Sequence, residues 1–489
     1  MSLAIERPCE MNRTRPNIVL IITDQQRYDT IAALGYPHAI TPNLDRLVRE
    51  GTHFESCYIT APSCVPSRAS LFTGLYPHSN GVICNLDGWR HSWVERLADS
   101  GYRCVNIGKM HTWPMDAPCG FHQRLVVENK ERIRKFTGSE FIDEWDKALA
   151  THGVQRPLRM DYRKLPDYKE RLGAFEWPLP EKLHSDYFTG DLATWWIKKY
   201  ASTDEPLFLQ IGFPGPHPPY DPVGSAIRKY AGRDIPVSEI KADDLAGQPS
   251  ALENLRRRQV ELEADAIAFS MTPEMEARKR QREHYLANVT MIDEKVGEIL
   301  EALETKGLLN DTVVIFTSDH GDTLGDHGQS QKWTMYEQVL RVPLVFWSSG
   351  LTRKGQAVAA LVQHFDIGAT ILDYAGAGIP EHMEAESLRG FLNGDATPGR
   401  ELVFAELGPD NVIEKIKFMT MVRSAEWKLV HFLGSDEGQL FDLKSDPGEE
   451  HNLWLDSSCS ERKAFLIDEI FRWRLESQIK TRNWMAEYR

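Results

Sequence analysis

Apolar positions along this chain follow two rhythms. The segment NIVLIIT (17–23) is a continuous run of β-branched residues and leucine, the pattern of a strand covered on both faces, and it stops at Asp24-Gln25. In TPNLDRLVREG the apolar positions recur with helical spacing, with Thr41 as the expected cap and Gly51 as the expected stop. The alternation continues through YRCVNIG (102–108), PLFLQIGF (206–213), DTVVIFTS (311–318) and VPLVFW (342–347) as strands. SDYFTGDLATWWIKKYA (185–201) and a long stretch around 281–305 read as helices. Strands alternating with helices predict an α/β protein with a large, mostly parallel sheet sandwiched by helices.

Beyond about residue 395 the rhythm changes. FMTMVRSAEWKLVHFL and GQLFDLKSD read as short strands close together, followed by a helix from about Ser460 to Ser477. This predicts a smaller C-terminal α+β domain built on an antiparallel sheet, so the expected division is a catalytic domain over 1–395 and a second domain over 396–489. The segments 125–180 and 225–280 are polar, rich in charge and poor in strand signals, and are read as insertions that shape the mouth of a site. TRNWMAEYR, at the end, shows no clear helical period. The chain carries no internal repeat.

Composition narrows the function classes. Of 489 residues, 42% are hydrophobic and 26% charged, as in ordinary globular enzymes and binding proteins. A formal charge of −14 argues against nucleic acid or an anionic membrane as partner, but local cations can still hold a small anionic substrate. The first twenty residues contain no apolar core of signal-peptide length, and no later run approaches a membrane span, so the expected location is the cytoplasm. The seven cysteines form no CxxC pair and are odd in number, which fits free thiols in a reducing compartment. The sequon Asn288-Val289-Thr290 carries no meaning there.

Ligands in parallel α/β sheets gather at the carboxyl ends of the strands. Two such ends here are rich in ligand atoms: NIVLIIT runs into Asp24-Gln25, and VVIFTS into Asp319-His320-Gly321-Asp322. Both suit a divalent cation, and both are also ordinary turn chemistry. In SCVPSRASLFTGL, Pro66 stands early in a helix and Cys64 near its N-cap, where the helix dipole lowers a thiol pKa, with Arg68 one turn on. Lys109 and His111 in GKMHTW, His217 in PGPHPPY, and Lys332 follow other strand patterns. Taken singly, each is as readily a solvated side chain. Asn85 is a hydrogen-bonding group or a turn residue.

Together the motifs RPNIVLIITDQ, TPNLDRLVREGTHFESCY, CVPSRASLFTGLYPHSNGV, IGKMH, PHPPY, TSDHGDTLGDHG and LFDLKSDPGEEHNL are collinear over nearly the whole chain. They resemble the formylglycine-dependent sulfatases of the alkaline phosphatase superfamily, near its arylsulfatase and phosphonate monoester hydrolase branch. The resemblance implies an alkaline phosphatase-like fold and hydrolysis of small-molecule aryl or alkyl sulfate esters. Cys64 becomes formylglycine (3-oxoalanine), made by a maturation enzyme. One hydroxyl of the aldehyde hydrate attacks sulfur, and the second lets the sulfate hemiester collapse. Asp24, Gln25, Asp319 and His320 become ligands of one divalent metal ion, with calcium usual in the family and manganese or zinc suited to a His ligand. Arg68 and Lys109 hold the hydrate, His111 takes a proton, and His217 and Lys332 contact the sulfuryl oxygens, one of them protonating the leaving alkoxide. Asn85, His217 and Lys332 are the implied substrate contacts.

The ligand pairs depart from the common sulfatase pattern, Asp-Asp with a final Asn. Asp24-Gln25 and Asp319-His320, with PHPPY and LGDHG, are similar to the phosphonate monoester hydrolases. GKMH keeps the sulfatase Lys and His. Sulfate ester hydrolysis is therefore the main expectation, phosphonate monoester or phosphodiester hydrolysis at the same site the alternative, and a non-catalytic anion-binding homologue a third reading. The sequence leaves open whether the chain forms a homo-oligomer.

Overall fold

The computed structural model describes residues 15–129, 141–350, 352–410, 412–413 and 416–487. The residues before 15, and 130–140 within the first expected insertion, lie outside this description. Among the described residues, twelve strands form two sheets. The larger has eight strands in the order β4-β3-β5-β1-β6-β7-β2-β8. In chain order these are β1 (Asn17–Asp24), β2 (Thr52–Tyr58), β3 (Arg103–Gly108), β4 (Gln123–Val126), β5 (Leu207–Pro216), β6 (Thr312–Ser318), β7 (Leu344–Trp347) and β8 (Gln356–Gln363). All neighbours are parallel except β7, which runs antiparallel to both β6 and β2. The smaller sheet, β9 (Val403–Leu407), β10 (Met419–Arg423), β11 (Trp427–Phe432) and β12 (Gly438–Asp442), is antiparallel throughout and follows chain order. Both expected sheets are present, and the large one is mixed rather than purely parallel.

The continuous apolar run of β1 is buried over its full length because both faces of the strand are covered. Val19 and Ile21 meet the helices Ser185–Tyr200 and Met275–Thr305 through Ala193, Trp196, Ile292 and Val296. Ile18, Leu20 and Ile22 face the other way, into a cluster with Val65, Ala69 and Phe72 of the helix Cys64–Thr73. That cluster continues through Phe365 and Ile367 to Phe404, Met421 and Leu429 of the small sheet, so one apolar layer joins the two sheets.

Some elements differ from the sequence reading. β2 and β8 are strands that the run-based search passes over, since THFESCY and QAVAALVQ alternate with polar or small residues and pair near the sheet's edge. The final helix does not stop at Ser477 but continues from Ser460 to Glu487, through most of TRNWMAEYR. Polar residues hold it there: Ser477 lies against His78 at 2.7 Å, and Thr481 is buried. The second expected insertion contains a helix of its own, Ser250–Leu262, whose Leu252 and Leu255 enter the core.

The carboxyl ends of β3, β5, β1 and β6 lie side by side, and two glycines let the outer pair close. Gly108 has φ of +95°, a conformation other residues avoid, and the Lys109 N–H donates to Gly212 O at 2.8 Å. A Cβ on Gly212 would run into the Lys109 carbonyl. Gly212→Ala is expected to destabilise the protein by about 1–3 kcal/mol through this overpacking. Lys109 would be displaced as well, so the thermal midpoint and the activity should fall together.

Candidate active site

The in-register pairing of Asn17–Thr23 with Thr312–Ser318 brings the two polar strand ends together. Asp24 closes β1, and Asp319 and His320 follow β6, all buried. Gln25 takes φ of +72°, and its N–H donates to Asp319 Oδ1 at 3.0 Å. Its side-chain amide donates to Asp322 Oδ2 at 2.7 Å, and Tyr220 donates to the same oxygen at 2.6 Å. Asp322, visible as a carboxylate at the strand end but given no role in the sequence, therefore fixes which way the Gln25 amide faces. Tyr285, on the long helix, donates to the Gln25 carbonyl at 2.7 Å and supports the same turn.

The helix Cys64–Thr73 begins above these strand ends with Ser63 as N-cap residue. Cys64 Sγ lies 3.1 Å from His320 Nε2, 3.6 Å from Asp24 Oδ1 and 2.8 Å from Lys332 Nζ. Arg68, one turn on, donates from Nε to Asp319 Oδ2 at 2.7 Å and from Nη1 to the Lys109 carbonyl at 3.2 Å. Its Nη2 is buried without a hydrogen-bond partner. Lys109 contacts Asp24 Oδ2 and reaches Asn129 Oδ1 at 3.0 Å. Asn85 accepts from the Val65 N–H at 3.0 Å and so caps the helix that begins with Cys64. Lys332 also donates to Gln25 Oε1 at 3.2 Å and to His217 Nε2 at 3.3 Å.

Electrostatics follow from burial and from the charges enclosed. Burial pushes the Cys64 thiol up to about 11, against the pull of Lys332 and Arg68. This corrects the expectation of a thiol activated by its helix terminus: desolvation and the Asp319 carboxylate outweigh the dipole and cations. Burial also sets His320, which titrates near 3, and lowers His217 and His111 well below the usual imidazole range. Nearby cations add to the effect in all three, so each ring is neutral at neutral pH. Nδ1 of His320 faces the Gly321 carbonyl at 2.8 Å, and Nδ1 of His217 the Pro218 carbonyl at 2.8 Å. Those carbonyls need a donor, so each Nε2 presents a lone pair, toward Cys64 and Asp24 for His320 and toward Lys332 for His217. His111 Nδ1 is buried without a hydrogen-bond partner. Burial opposes ionisation of Asp319, but Arg68 and Lys109 hold its carboxyl well below the usual range.

Ligand atoms of Asp24, Cys64, Asp319 and His320 all lie within 4.8 Å of one another. Two carboxylates, a lone-pair imidazole nitrogen and the adjacent Gln25 oxygen form a donor set that fits a divalent cation. Among the described residues the other such group, Asp446, Glu450 and His451, is at the surface. Both expected insertions reach the site. Asn129 comes from the first, and Arg159 of the first pairs with Asp265 of the second, whose Oδ2 lies 4.0 Å from His217 Nε2. Asn129 follows β4, a short strand that no apolar run announces, and nothing local in the sequence marks Arg159 or Asp265. The insertion aromatics Trp145 and Trp177 pack into one apolar cluster, and Tyr162, Tyr168 and Phe175 into another. Among the described residues, no helix is long and apolar enough to cross a membrane.

An eight-stranded sheet carrying buried groups that could hold a metal ion, a helix terminus and several cations at its strand ends has the architecture of an alkaline phosphatase-like sulfuric ester hydrolase. The chain belongs to the sulfatase family: the sulfatase family model matches residues 16–377, and a model of the C-terminal part of N-sulphoglucosamine sulphohydrolase matches residues 325–476. It is 30% identical to an arylsulfatase of Clostridium perfringens over 92% of this chain and 93% of that one. It is 28% identical to a multifunctional alkaline phosphatase superfamily protein of Trinickia caryophylli, over 96% of this chain and 97% of the relative. Among solved structures, the phosphonate monoester hydrolase of Agrobacterium radiobacter superposes with a TM-score of 0.79 at 24% identity, covering 95% of this chain and 96% of the other.

The raised thiol pKa has a direct consequence. In protein carrying unmodified Cys64, thiolate at that position is roughly 100-fold scarcer than for an ordinary thiol. Timed iodoacetamide labelling at pH 8 with peptide mass spectrometry should therefore find Cys64 alkylated far more slowly than the partly exposed Cys459. Equal rates would mean that the helix terminus governs the thiol after all.

Proposed function

We propose that this sulfatase hydrolyses sulfate esters through formylglycine made from Cys64, with one divalent cation held by Asp24, Gln25, Asp319 and His320. The convergence of Cys64, His320, Asp24 and Lys332 within hydrogen-bonding reach carries this reading. Calcium suits the carboxylates, and the imidazole also admits manganese or zinc. Such an ion, when bound, supplies Lewis-acid polarisation of oxygen, and the hydrated aldehyde supplies a nucleophile that a thiol cannot replace.

The surrounding side chains then have distinct tasks. Arg68 and Lys109, anchored on Asp319 and Asp24, place two positive charges under the oxygens of position 64 and of the sulfuryl group. The unpartnered Nη2 of Arg68 is a donor available to such an oxygen. His111, neutral, accepts the proton whose removal releases sulfate. Lys332, though buried, faces the carboxylates of Asp265 and Asp319, which favour its protonated form and persist when position 64 is formylglycine. His217 offers it a lone pair, so Lys332 is the group that delivers a proton to the departing alcohol oxygen while His217 orients it. Asn85 acts by fixing the helix terminus through Val65.

Gln25 in place of the second Asp of the common pattern leaves the metal site with one carboxylate fewer and hence more positive, which favours phosphonate monoester or phosphodiester hydrolysis as a second activity of the same centre. The chain is also similar in fold to phosphonate monoester hydrolases. A reducing intracellular location fits the free cysteines and the absence of a membrane-spanning helix among the described residues. A formylglycine-generating enzyme is the partner this chemistry requires.

Mass spectrometry of the Cys64 tryptic peptide from the native host should show the thiol replaced by an aldehyde, and the matured protein should cleave 4-nitrophenyl sulfate faster than an aryl phosphonate. An unmodified thiol with no turnover would leave the anion-binding reading; a phosphonate preference would reverse the order of the two activities. Chelation should abolish turnover and lower the thermal midpoint, because binding to the folded state alone stabilises by about 2.7 kcal/mol at 100 times Kd. Restoring calcium, manganese and zinc separately identifies the ion by which one returns both properties.

A further inference from the structure

The final helix, Ser460–Glu487, is held to the protein by one face and leaves the opposite face bare. Leu466, Trp473, Ser477 and Thr481 point inward and are buried, with Trp473 stacked on Phe404 at 4.5 Å between ring centroids. Along the outward face Ile467, Phe471, Leu475 and Ile479 recur every four residues, each between 39% and 67% exposed. No other element among the described residues exposes as many large apolar side chains. A row at i, i+4, i+8 and i+12 is a ridge of the kind that packs into the groove of a second helix. Exposed apolar surface gathered in one place marks a contact with another molecule.

The charges beside that ridge identify its occupant. In IDEIFRWRLESQIK each ridge residue is followed by a charged one, and Asp468, Arg472, Glu476 and Lys480 form a second exposed row whose signs run minus, plus, minus, plus. Within the protomer Arg472 meets Asp468 at 3.4 Å, an exposed pair of small worth that a new contact can rearrange. From the other end the row runs plus, minus, plus, minus. Two copies of this helix laid antiparallel about a two-fold axis near Arg474 therefore oppose unlike charges at every place, Asp468 with Lys480 and Arg472 with Glu476, each pair formed twice. The same axis sets Phe471 of one copy against Leu475 of the other, and Ile467 against Ile479. A parallel pairing would oppose like charges at all four places. A lipid surface or an unrelated apolar peptide would cover the ridge but give the alternation no role.

We infer that the outward face of the final helix is a dimer interface, covered by the same helix of a second copy in antiparallel, two-fold symmetric contact. Sedimentation equilibrium of the full-length protein should show a concentration-dependent dimer. Leu475→Asp, at an exposed position, should raise the dissociation constant by at least about tenfold. Glu476→Arg should weaken the dimer, and adding Arg472→Glu to it should restore it, because the doubly reversed row, minus, minus, plus, plus, is again complementary in antiparallel order. These charge variants leave every apolar residue in place, so they stand even if Leu475→Asp folds poorly. Direction is tested by oxidation of mixed Ile467→Cys and Ile479→Cys proteins, with the linked peptides identified by mass. The mixture should link 467 to 479, and neither variant alone should link to itself, since equivalent positions lie about 15–20 Å apart along the pair at 1.5 Å per residue. A monomer at every concentration, a dimer indifferent to Leu475→Asp and Glu476→Arg, or variants that link to themselves would overturn the inference, the first by leaving the ridge to a different partner.

Discussion

The molecule depends most on the parallel pairing of β1 with β6 at the centre of the large sheet. Seven residues of each strand run in register, from Asn17 opposite Thr312 to Thr23 opposite Ser318. Because the strands run the same way, their carboxyl ends finish together, and the first polar residues after each are Asp24-Gln25 and Asp319-His320. A slip by one residue would turn the alternating apolar side chains to the wrong faces, so the two helical layers fix the register that aligns these polar groups. Core packing and site geometry are in this sense one constraint. The Asp319 N–H bonded to the Thr23 carbonyl, and the Gln25 N–H to the Asp319 carboxylate, continue the ladder into the site.

Bringing two carboxylates so close in a buried place requires opposite charge nearby. Arg68, Lys109 and Lys332 supply it from three separate elements, and none is exposed beyond 2%. Each cation is tied to a different anchor: Arg68 to Asp319, Lys109 to Asp24, and Lys332 to Cys64, Gln25 and His217. The arrangement stores positive potential where a sulfuryl group would carry its negative oxygens, and the groups need no reorganisation to meet them. Burial, with these cations adding to it, keeps His111, His217 and His320 neutral beside them. Position 64 sits where these effects meet. A plain thiol there is poorly ionised, so the helix terminus and cations are better matched to an oxygen nucleophile than to a sulfur one.

Legibility in the sequence followed how local each signal was. NIVLIIT and DTVVIFTS were readable because full burial on both faces leaves an unbroken apolar run, and their polar endings stood out for the same reason. Cys64 and Arg68 share one short helix, so their spacing alone put them on one face. β2 and β8 were not legible, since a strand near a sheet edge keeps polar residues, and the last turns of the final helix rest on tertiary contacts such as Ser477 with His78. Asn129, Arg159 and Asp265 reach the site only in three dimensions. The thiol was misjudged because a dipole can be read from sequence while desolvation cannot.

That contrast separates two kinds of residue around the site. The groups assigned to the proposed chemistry come from strand ends and one helix start, where the fold leaves little freedom, so they form recognisable motifs. Asn129, Arg159 and Asp265 come from the expected insertions, where the backbone tolerates many side chains. Their place is set by pairing: Asn129 meets Lys109, and Arg159 holds Asp265 beside His217. Position along the chain therefore marks the first kind, and only the packing of separate elements marks the second.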